Sequence, residues 1–114
     1  MTIANLIEEL SLESFTADPD LSRPVSAGYA SDLLSDVMAN AGAGSVWITL
    51  QAHPNVAAVA TLKDLSAVIL TGGRRPEEAT VQKAEAEGVV MLGSRESAFN
   101  LCGRLFSLGL RTEG

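Results

Sequence analysis

Apolar residues follow two different patterns along this chain. Near the N-terminus they are spaced three and four residues apart, which is typical of one face of a helix, and Thr2 stands where it can cap that helix. The residues of this face are Ile3, Leu6, Ile7 and Leu10. From residue 45 onward, short runs of consecutive apolar residues alternate with longer stretches. Such runs are typical of strands buried on both faces of a sheet, and they predict strands at 45–51, 67–72 and 89–92.

Helices are predicted between these strands, at 53–65 and 76–88. Pro54 and Pro76 suit the first position of each helix, because the N–H that proline lacks has no partner there in any case. Gly88 suits the end of the second helix, where the chain often turns into a left-handed conformation.

Two further helices are predicted outside this region. One follows an extended stretch at 25–31; it begins at Ser31 and ends at Gly42 and Gly44. Its apolar side is Leu33, Leu34, Val37 and Met38. The other covers 96–110 and is the last element of the chain. The apolar residues expected to share one face of this last helix are Phe99, Cys102, Leu105 and Phe106.

The alternation of strands and helices predicts the fold class. We expect one α/β domain over residues 1–114, with a mainly parallel sheet of about four strands, right-handed crossovers and flanking helices. Residues 1–22 form its N-terminal helix and an irregular lead-in, with a turn predicted at Asp18, Pro19 and Asp20.

Composition narrows the function classes. The chain has 114 residues and a net charge of −6, from 14 acids against 8 bases. This balance disfavours binding to nucleic acid or to an anionic membrane surface, since both depend on basic patches. The single cysteine, Cys102, cannot form an intramolecular disulfide. Since no apolar run reaches the ~20 residues of a membrane span, and the N-terminus lacks the pattern of a signal peptide, we expect a cytoplasmic protein.

Candidate ligand-binding residues lie where the predicted strands end. In open α/β sheets, ligands bind beyond the carboxyl ends of the strands, and the loops there lead into helix N-termini that attract anions. We therefore expect a small anion or a nucleotide-like phosphate to bind at this edge. Backbone N–H groups would come from the two glycines after the second strand, charge from the next arginine, and a second arm from the serine after the third strand. The candidate residues are Gly28, Tyr29, His53, Thr71, Gly72, Gly73, Arg74 and Ser94.

Each candidate also has a structural interpretation. Gly72 and Gly73 could serve only to form a tight turn. Arg74 could be a solvated surface side chain, although a helix start disfavours cations. His53 could cap a helix or lie exposed, and the Tyr29 ring could pack instead of presenting its hydroxyl to the edge.

No catalytic motif accompanies these residues. The sequence contains no Walker-type phosphate loop, no G-x-G-x-x-G and no G-x-S-x-G. A single histidine and a single cysteine provide no metal pair. We therefore expect no enzymatic activity, no metal and no cofactor.

Most of the chain resembles a DRTGG domain. The resemblance covers residues 21–99, and its best anchors are 28–38 ("GYASDLLSDVM"), 67–73 ("AVILTGG") and 89–99 ("VVMLGSRESAF"). The family's Thr-Gly-Gly is present after the second of the predicted strands. Its Asp-Arg pair is expected where this chain reads Gln51-Ala52-His53.

The resemblance implies a fold similar to the N-terminal domain of HPr kinase/phosphorylase. Small stand-alone members are sometimes labelled "serine kinase", but the kinase activity belongs to a separate P-loop domain. In larger proteins such domains accompany CBS, pyrophosphatase or phosphotransacetylase domains as regulatory or dimerising modules. The resemblance therefore implies a non-catalytic, ligand-sensing module that forms a homodimer.

Two alternatives stay open. One is a structural partner protein of a redox-enzyme complex of the iron-only hydrogenase type, near whose subunits similar small proteins are encoded. The other is a small phosphotransferase that acts through His53 or Ser94, although general acid–base chemistry needs a positioned set of groups.

Overall fold

Strands and helices alternate through most of the computed structural model, which describes residues 1–17 and 19–112. The helices are α1 (Ile3–Leu10), α2 (Leu34–Asn40), α3 (Asn55–Leu62), α4 (Glu78–Glu87) and α5 (Ala98–Ser107). The strands are β1 (Glu13–Ser14), β2 (Ala27–Ala30), β3 (Ser45–Thr49), β4 (Ala67–Leu70) and β5 (Met91–Gly93). The predicted α/β class is therefore confirmed.

One sheet contains these strands in the order β1-β5-β4-β3-β2. Strands β2 to β5 are parallel, as predicted, and a helix connects each of them to the next. The sheet has five strands rather than about four, because β1 joins its edge antiparallel to β5, with Glu13 opposite Gly93. Two residues are too few to show a strand periodicity in the sequence.

Successive residues of the central strands point to opposite faces of the sheet. In β3, Val46 and Ile48 belong to the core under α1 and α5, whereas Trp47 belongs to the core under α2, α3 and α4. Every residue of β3 and β4 is buried. The domain therefore has three layers, with helices covering both faces of the sheet. The loops at the ends of the central strands stay accessible to a ligand.

The ends of the described chain lie beside β2, at the edge of the sheet opposite β1. The N–H of Val25 donates to the carbonyl of Met1 (2.9 Å), and the N–H of Gly28 donates to the carbonyl of Arg111 (2.8 Å). These bonds satisfy backbone groups that an edge strand would otherwise expose.

Local signals placed the ends of two helices correctly. The Thr2 side chain accepts a hydrogen bond from the N–H of Asn5, and the Asn5 side chain accepts one from the N–H of Thr2, as in a capping box. Gly88 ends α4 with φ of 73°, in the left-handed conformation that glycine adopts without strain.

The helix predicted from Ser31 begins later. It starts at Leu34, because Ser31 and Asp32 form the exit from β2, and it ends at Asn40, ahead of both glycines. The turn predicted at residues 18–20 includes Asp18, which lies outside the described residues.

The predicted apolar face of the last helix is confirmed for Leu105 and Cys102, which pack on the core, and is wrong for both phenylalanines. Leu101 and Leu105 are buried against α1 and the sheet, whereas Phe99 and Phe106 are 88% and 58% exposed. The helix carries two apolar sides, and periodicity alone does not say which side meets the sheet.

Gly93 in β5 allows a close approach of the Phe15 ring. A Cβ at Gly93 would lie 2.6 Å from two atoms of that ring. The guanidinium carbon of Arg75 lies 4.9 Å from the centroid of the same ring. The absence of a side chain at Gly93 therefore allows Phe15 to take a position in which it lines the strand-end region.

We predict that Gly93→Ala lowers the free energy of unfolding by about 1–3 kcal/mol, because the added methyl group displaces the Phe15 ring. Urea unfolding followed by the fluorescence of Trp47, the only tryptophan, measures this. Gly42→Ala is the matched control, since a Cβ there meets nothing within 4 Å. Equal stabilities of the two variants would contradict the close packing of Phe15 on Gly93.

Candidate functional site

A cleft of about 620 Å³ opens at the carboxyl ends of β4 and β5. Because β1 runs antiparallel to β5, the segment leading into β1 lies at the same edge. We name this space the arginine cleft. It is lined by residues 10–13, 73–75 and 93–96, together with Phe15 and Arg104.

Four of the chain's six arginines line this cleft, although they come from three separate parts of the sequence. Arg74 and Arg75 follow β4, Arg95 follows β5, and Arg104 reaches in from α5. Against them stand two glutamates, Glu13 and Glu96, which leaves a formal excess of two positive charges. The whole chain has a net charge of −6, so the cleft is a local cationic region on an acidic protein.

Two of these arginines already hold a carboxylate. Arg75 Nη1 lies 3.1 Å from Glu13 Oε2, and Arg104 Nη1 lies 2.7 Å from Glu96 Oε2. Arg104 also donates through Nη2 to the carbonyl of Glu9 (2.8 Å), which ties α5 to α1. Both ion pairs are accessible to solvent, and pairs of this kind contribute little net stability.

The other two arginines are available to a ligand. Arg74 and Arg95 are exposed, and over residues 1–17 and 19–112 neither forms an ion pair. A guanidinium group can bind a carboxylate or a phosphate through two parallel hydrogen bonds. The cleft therefore combines two guanidinium groups that form no ion pair among the described residues with two that could exchange a glutamate for an anionic ligand.

The glycine turn after β4 contributes to this site in a different way from that expected. Gly72 and Gly73 have positive φ angles of 65° and 74°, so the turn does require glycine. However, the N–H of Gly72 donates to the carbonyl of Glu96 (2.7 Å), and the N–H of Gly73 donates to the carbonyl of Ser94 (2.8 Å). The expected role of these N–H groups as anion donors is therefore wrong: they join the two loops that carry the arginines.

Ser94 has a comparable structural role. Its side chain is buried, and its hydroxyl oxygen accepts a hydrogen bond from the N–H of Glu96 (3.1 Å). The expected second arm of amides after Ser94 is thus partly engaged within its own loop. Charge in the cleft comes from arginine side chains rather than from backbone amides.

His53 lies apart from these loops. It follows β3, its side chain is exposed, and its Nδ1 accepts a hydrogen bond from the N–H of Asn55 (3.1 Å) at the start of α3. Strand β4 separates β3 from β5, so His53 and Ser94 stand on strand ends ~10 Å apart. This geometry agrees with the structural interpretation of His53, in which its side chain accepts a hydrogen bond from a free N–H at the start of a helix.

Gly28 and Tyr29 lie even farther from the cleft, on the edge strand β2. The Tyr29 ring packs against the core under α2, and its hydroxyl donates to Asp36 Oδ2 (2.9 Å). The hydroxyls of Ser31 and Tyr29 beside this carboxylate hold the pKa of Asp36 below its ordinary value, and the same bond raises the pKa of Tyr29. The four predicted strand ends do share one edge, since β2 to β5 are adjacent and parallel, but only the loops after β4 and β5 line the arginine cleft.

Asp32 lies between the ends of β2 and β3, and it is not among the residues predicted for the site. Its Oδ1 accepts hydrogen bonds from the Thr49 hydroxyl (2.9 Å) and from the N–H of Leu50 (2.8 Å). The Gln51 side chain donates to the Asp32 carbonyl (3.1 Å). The segment in which the family's Asp-Arg pair was expected is thus held by contacts to the β2 exit.

Thr71, the first residue after β4, is fully buried. Among the described residues its hydroxyl has no hydrogen-bond partner, whereas the hydroxyl of Thr80 donates to the carbonyl of Ala52 (2.6 Å). A buried hydroxyl without a partner destabilises the folded state. Thr71 is fully buried and does not line the arginine cleft, so its hydroxyl is not placed to contact a ligand there.

The described residues contain no group of three or more His, Cys, Asp or Glu side chains placed to hold a metal ion. In the same part of the chain, no helix combines the length and the apolar character needed to cross a membrane.

Comparison with known proteins supports the fold. No family model and no curated protein matches the chain. Among solved structures, it is similar to the crystal structure of the CBS and DRTGG domains of the regulatory region of Clostridium perfringens pyrophosphatase, complexed with its activator, diadenosine tetraphosphate. The TM-score is 0.75 at 16% identity, over 98% of this chain and 47% of that chain.

This similarity supports the DRTGG-like fold that the sequence suggested. The chain spans about half of that solved chain, and the neighbour is a regulatory region. The similarity to HPr kinase/phosphorylase stays a prediction.

We predict that Thr71→Val leaves the free energy of unfolding unchanged or raises it by about 1 kcal/mol, because the substitution removes a buried hydroxyl without a partner. Thr80→Val is the matched control and lowers stability, since its hydroxyl is bonded to Ala52. Urea unfolding of both variants measures the difference. A clear loss of stability in Thr71→Val would show that this hydroxyl has a partner.

We also predict that Tyr29→Phe raises the pKa of Asp36 toward its ordinary value, because one donor to the carboxylate is lost. A lowered pKa in the folded state stabilises the protein above the unfolded-state pKa, and this contribution disappears as the pH falls through the folded-state pKa. The stability difference between wild type and variant should therefore shrink in acid.

Titration of the Asp36 carboxyl by NMR in both proteins tests this. Asp20 is an internal reference, because its pKa is lowered by Ser22, and Tyr29 plays no part in that. An unchanged Asp36 titration would refute the contribution of Tyr29.

Proposed function

We propose that this domain is a non-catalytic regulatory module that senses a small phosphorylated anion or a nucleotide-like ligand in the arginine cleft. The observation that carries the proposal is the convergence of four arginines on one cleft at the carboxyl edge of the sheet. The module acts as a cytoplasmic homodimer.

Electrostatics favours an anionic ligand at this place. The chain's net charge of −6 repels anions from most of the surface, whereas the cleft has an excess of two positive charges. Phosphate oxygens match the fork of N–H groups on Arg74 and Arg95, which are free of carboxylates over the described residues. A ligand with more than one phosphate could engage both of these arginines and displace a glutamate as well.

Displacement of a glutamate gives the binding event a structural consequence. Arg75 connects the loop before α4 to β1 through Glu13, and Arg104 connects α5 to α1 through the Glu9 carbonyl. An anion that draws Arg75 or Arg104 into the cleft changes these connections. Such an exchange of partners is how a module without catalytic groups can report that a ligand is present.

The structural neighbour supports a regulatory role. It is the regulatory region of a pyrophosphatase, solved with a nucleotide activator. The arginine cleft gives this chain its own place for a ligand of related chemistry.

The geometry gives little support to a phosphotransferase. His53 and Ser94 stand on strand ends that are separated by β4, and the Ser94 hydroxyl is buried and bonded to its own loop. A nucleophile and its base must lie within hydrogen-bond reach of each other.

We predict that pyrophosphate and ATP bind to the full chain more tightly than inorganic phosphate does, because they can reach more of the arginines. Calorimetry measures each affinity. Arg74→Ala combined with Arg95→Ala should weaken pyrophosphate binding by about 10- to 100-fold. Glu96→Gln should strengthen it, because a competing carboxylate is removed from Arg104.

Arg23→Ala is the matched control. Arg23 pairs with Asp64, which lies just before the amino end of β4. The cleft lies at the carboxyl ends of the strands, so this ion pair is at the other end of the sheet. Loss of Arg23 removes one positive charge but should leave pyrophosphate affinity nearly unchanged. The proposal fails if phosphate, pyrophosphate and ATP all fail to bind. It also fails if Arg23→Ala weakens pyrophosphate binding as much as the double variant does.

A further inference from the structure

Helix α5 presents an unusual set of side chains to solvent. Phe99 is 88% exposed and Phe106 is 58% exposed, in a chain that has only three phenylalanines. The core is built from aliphatic side chains and one tryptophan, so two of the scarce aromatic rings lie outside it. Large apolar side chains that share one exposed face mark an interaction surface more often than single exposed ones do.

The two rings lie on the same side of the helix, with Gly103 between them. Residues 99, 103 and 106 are spaced four and three apart, which places them within ~60° of one another around the helix axis. A groove of about 580 Å³ runs along this side, between α5 and α1, and both Phe99 and Gly103 line it.

Gly103 has no structural role inside the domain. A Cβ at this position would meet nothing within 4 Å, and no left-handed φ angle requires glycine there. Glycine is the least favourable residue in a helix interior after proline. Its use in the middle of α5 is explained if another helix approaches the backbone closely at this point.

The arrangement is self-complementary. If two α5 helices cross antiparallel at Gly103, Phe99 of each copy lies beside Phe106 of the other, because these residues stand four positions before and three positions after the crossing point. A two-fold interface requires this property, since the same surface must serve both subunits. The groove beside Gly103 offers room for the ring of the second copy.

The charges around this face balance. Residues 97–112 carry Arg104 and Arg111, and the groove beside them is lined by Glu9 and Glu96. Arg104 pairs with Glu96, and the Arg111 guanidinium lies over the Phe106 ring. Two copies that meet here therefore bring no net like charge together, although the protein as a whole has a net charge of −6.

The exposed area of the two rings would supply a large part of the area that such an interface buries. A phenylalanine side chain buries ~200 Å² when it is fully covered, so Phe99 and Phe106 together offer ~290 Å² in each copy. Two copies would bury ~580 Å² through these rings alone, which is about half of the ~1,200 Å² at the low end of stable interfaces.

We infer that the outer face of α5, formed by Phe99, Gly103 and Phe106, is the surface at which two copies of this chain associate, antiparallel across Gly103. The inference rests on the proposed homodimer for its partner, but it does not depend on anion binding in the arginine cleft.

Sedimentation velocity of the full chain between about 1 and 100 µM tests it. The wild type should form a dimer in this range. Gly103→Leu should raise the dissociation constant at least about tenfold, because the side chain blocks the crossing. At concentrations below those at which the wild type dimerises, the same variant should unfold at an equal or higher temperature, since leucine favours helix and a Cβ at this position meets nothing within 4 Å. This separates loss of the interface from loss of the fold.

Two further variants locate the interface. Phe99→Glu should also favour the monomer. Leu62→Glu is the matched control, because Leu62 is 72% exposed at the end of α3, on the other face of the sheet, and it should leave the dimer intact. A wild-type monomer throughout the range, a dimer that survives both α5 variants, or a dimer lost in Leu62→Glu would each overturn the inference. Pyrophosphate calorimetry on Gly103→Leu separates the two proposals, since its anion binding should persist if only the interface is lost.

Discussion

The burial of β3 and β4 on both faces of the sheet is the constraint on which the rest of the structure depends. All nine residues of these two strands are buried, so helices must cover both sides, and the strands can be parallel only if those helices connect them. This arrangement places each loop between a strand and a helix either at the amino ends or at the carboxyl ends of the strands. The carboxyl ends of the strands lead into the loops after β4 and β5, and three of the four arginines of the cleft lie in those loops.

The sequence predicted this framework well because the signals are local. Continuous apolar runs indicated the central strands, Gly88 indicated the end of α4, and Thr2 indicated the start of α1. The candidate site was predicted only in part, because its contacts are long-range. The hydrogen bonds of Gly72 and Gly73 to the loop after β5 decide that their N–H groups are not free, and no feature of the sequence shows those bonds.

One wrong prediction and one missed residue both concern α5. Periodicity shows that a helix has apolar residues on a side, but it does not show which side meets the sheet when there are two such sides, as on α5. The arginine cleft also includes Arg104, which comes from α5 and not from any strand end. A search restricted to strand ends could find Arg74 and Arg95 but could not find Arg104.

The hydrogen bonds that Met1 and Arg111 make beside β2 have a consequence for the architecture of larger proteins. Their partners, Val25 and Gly28, are three residues apart, so Met1 and Arg111 both lie beside the start of β2. A protein domain joined near either residue would therefore lie next to β2. Such a fusion would leave the arginine cleft untouched, because the cleft lies beside β1, at the other side of the sheet.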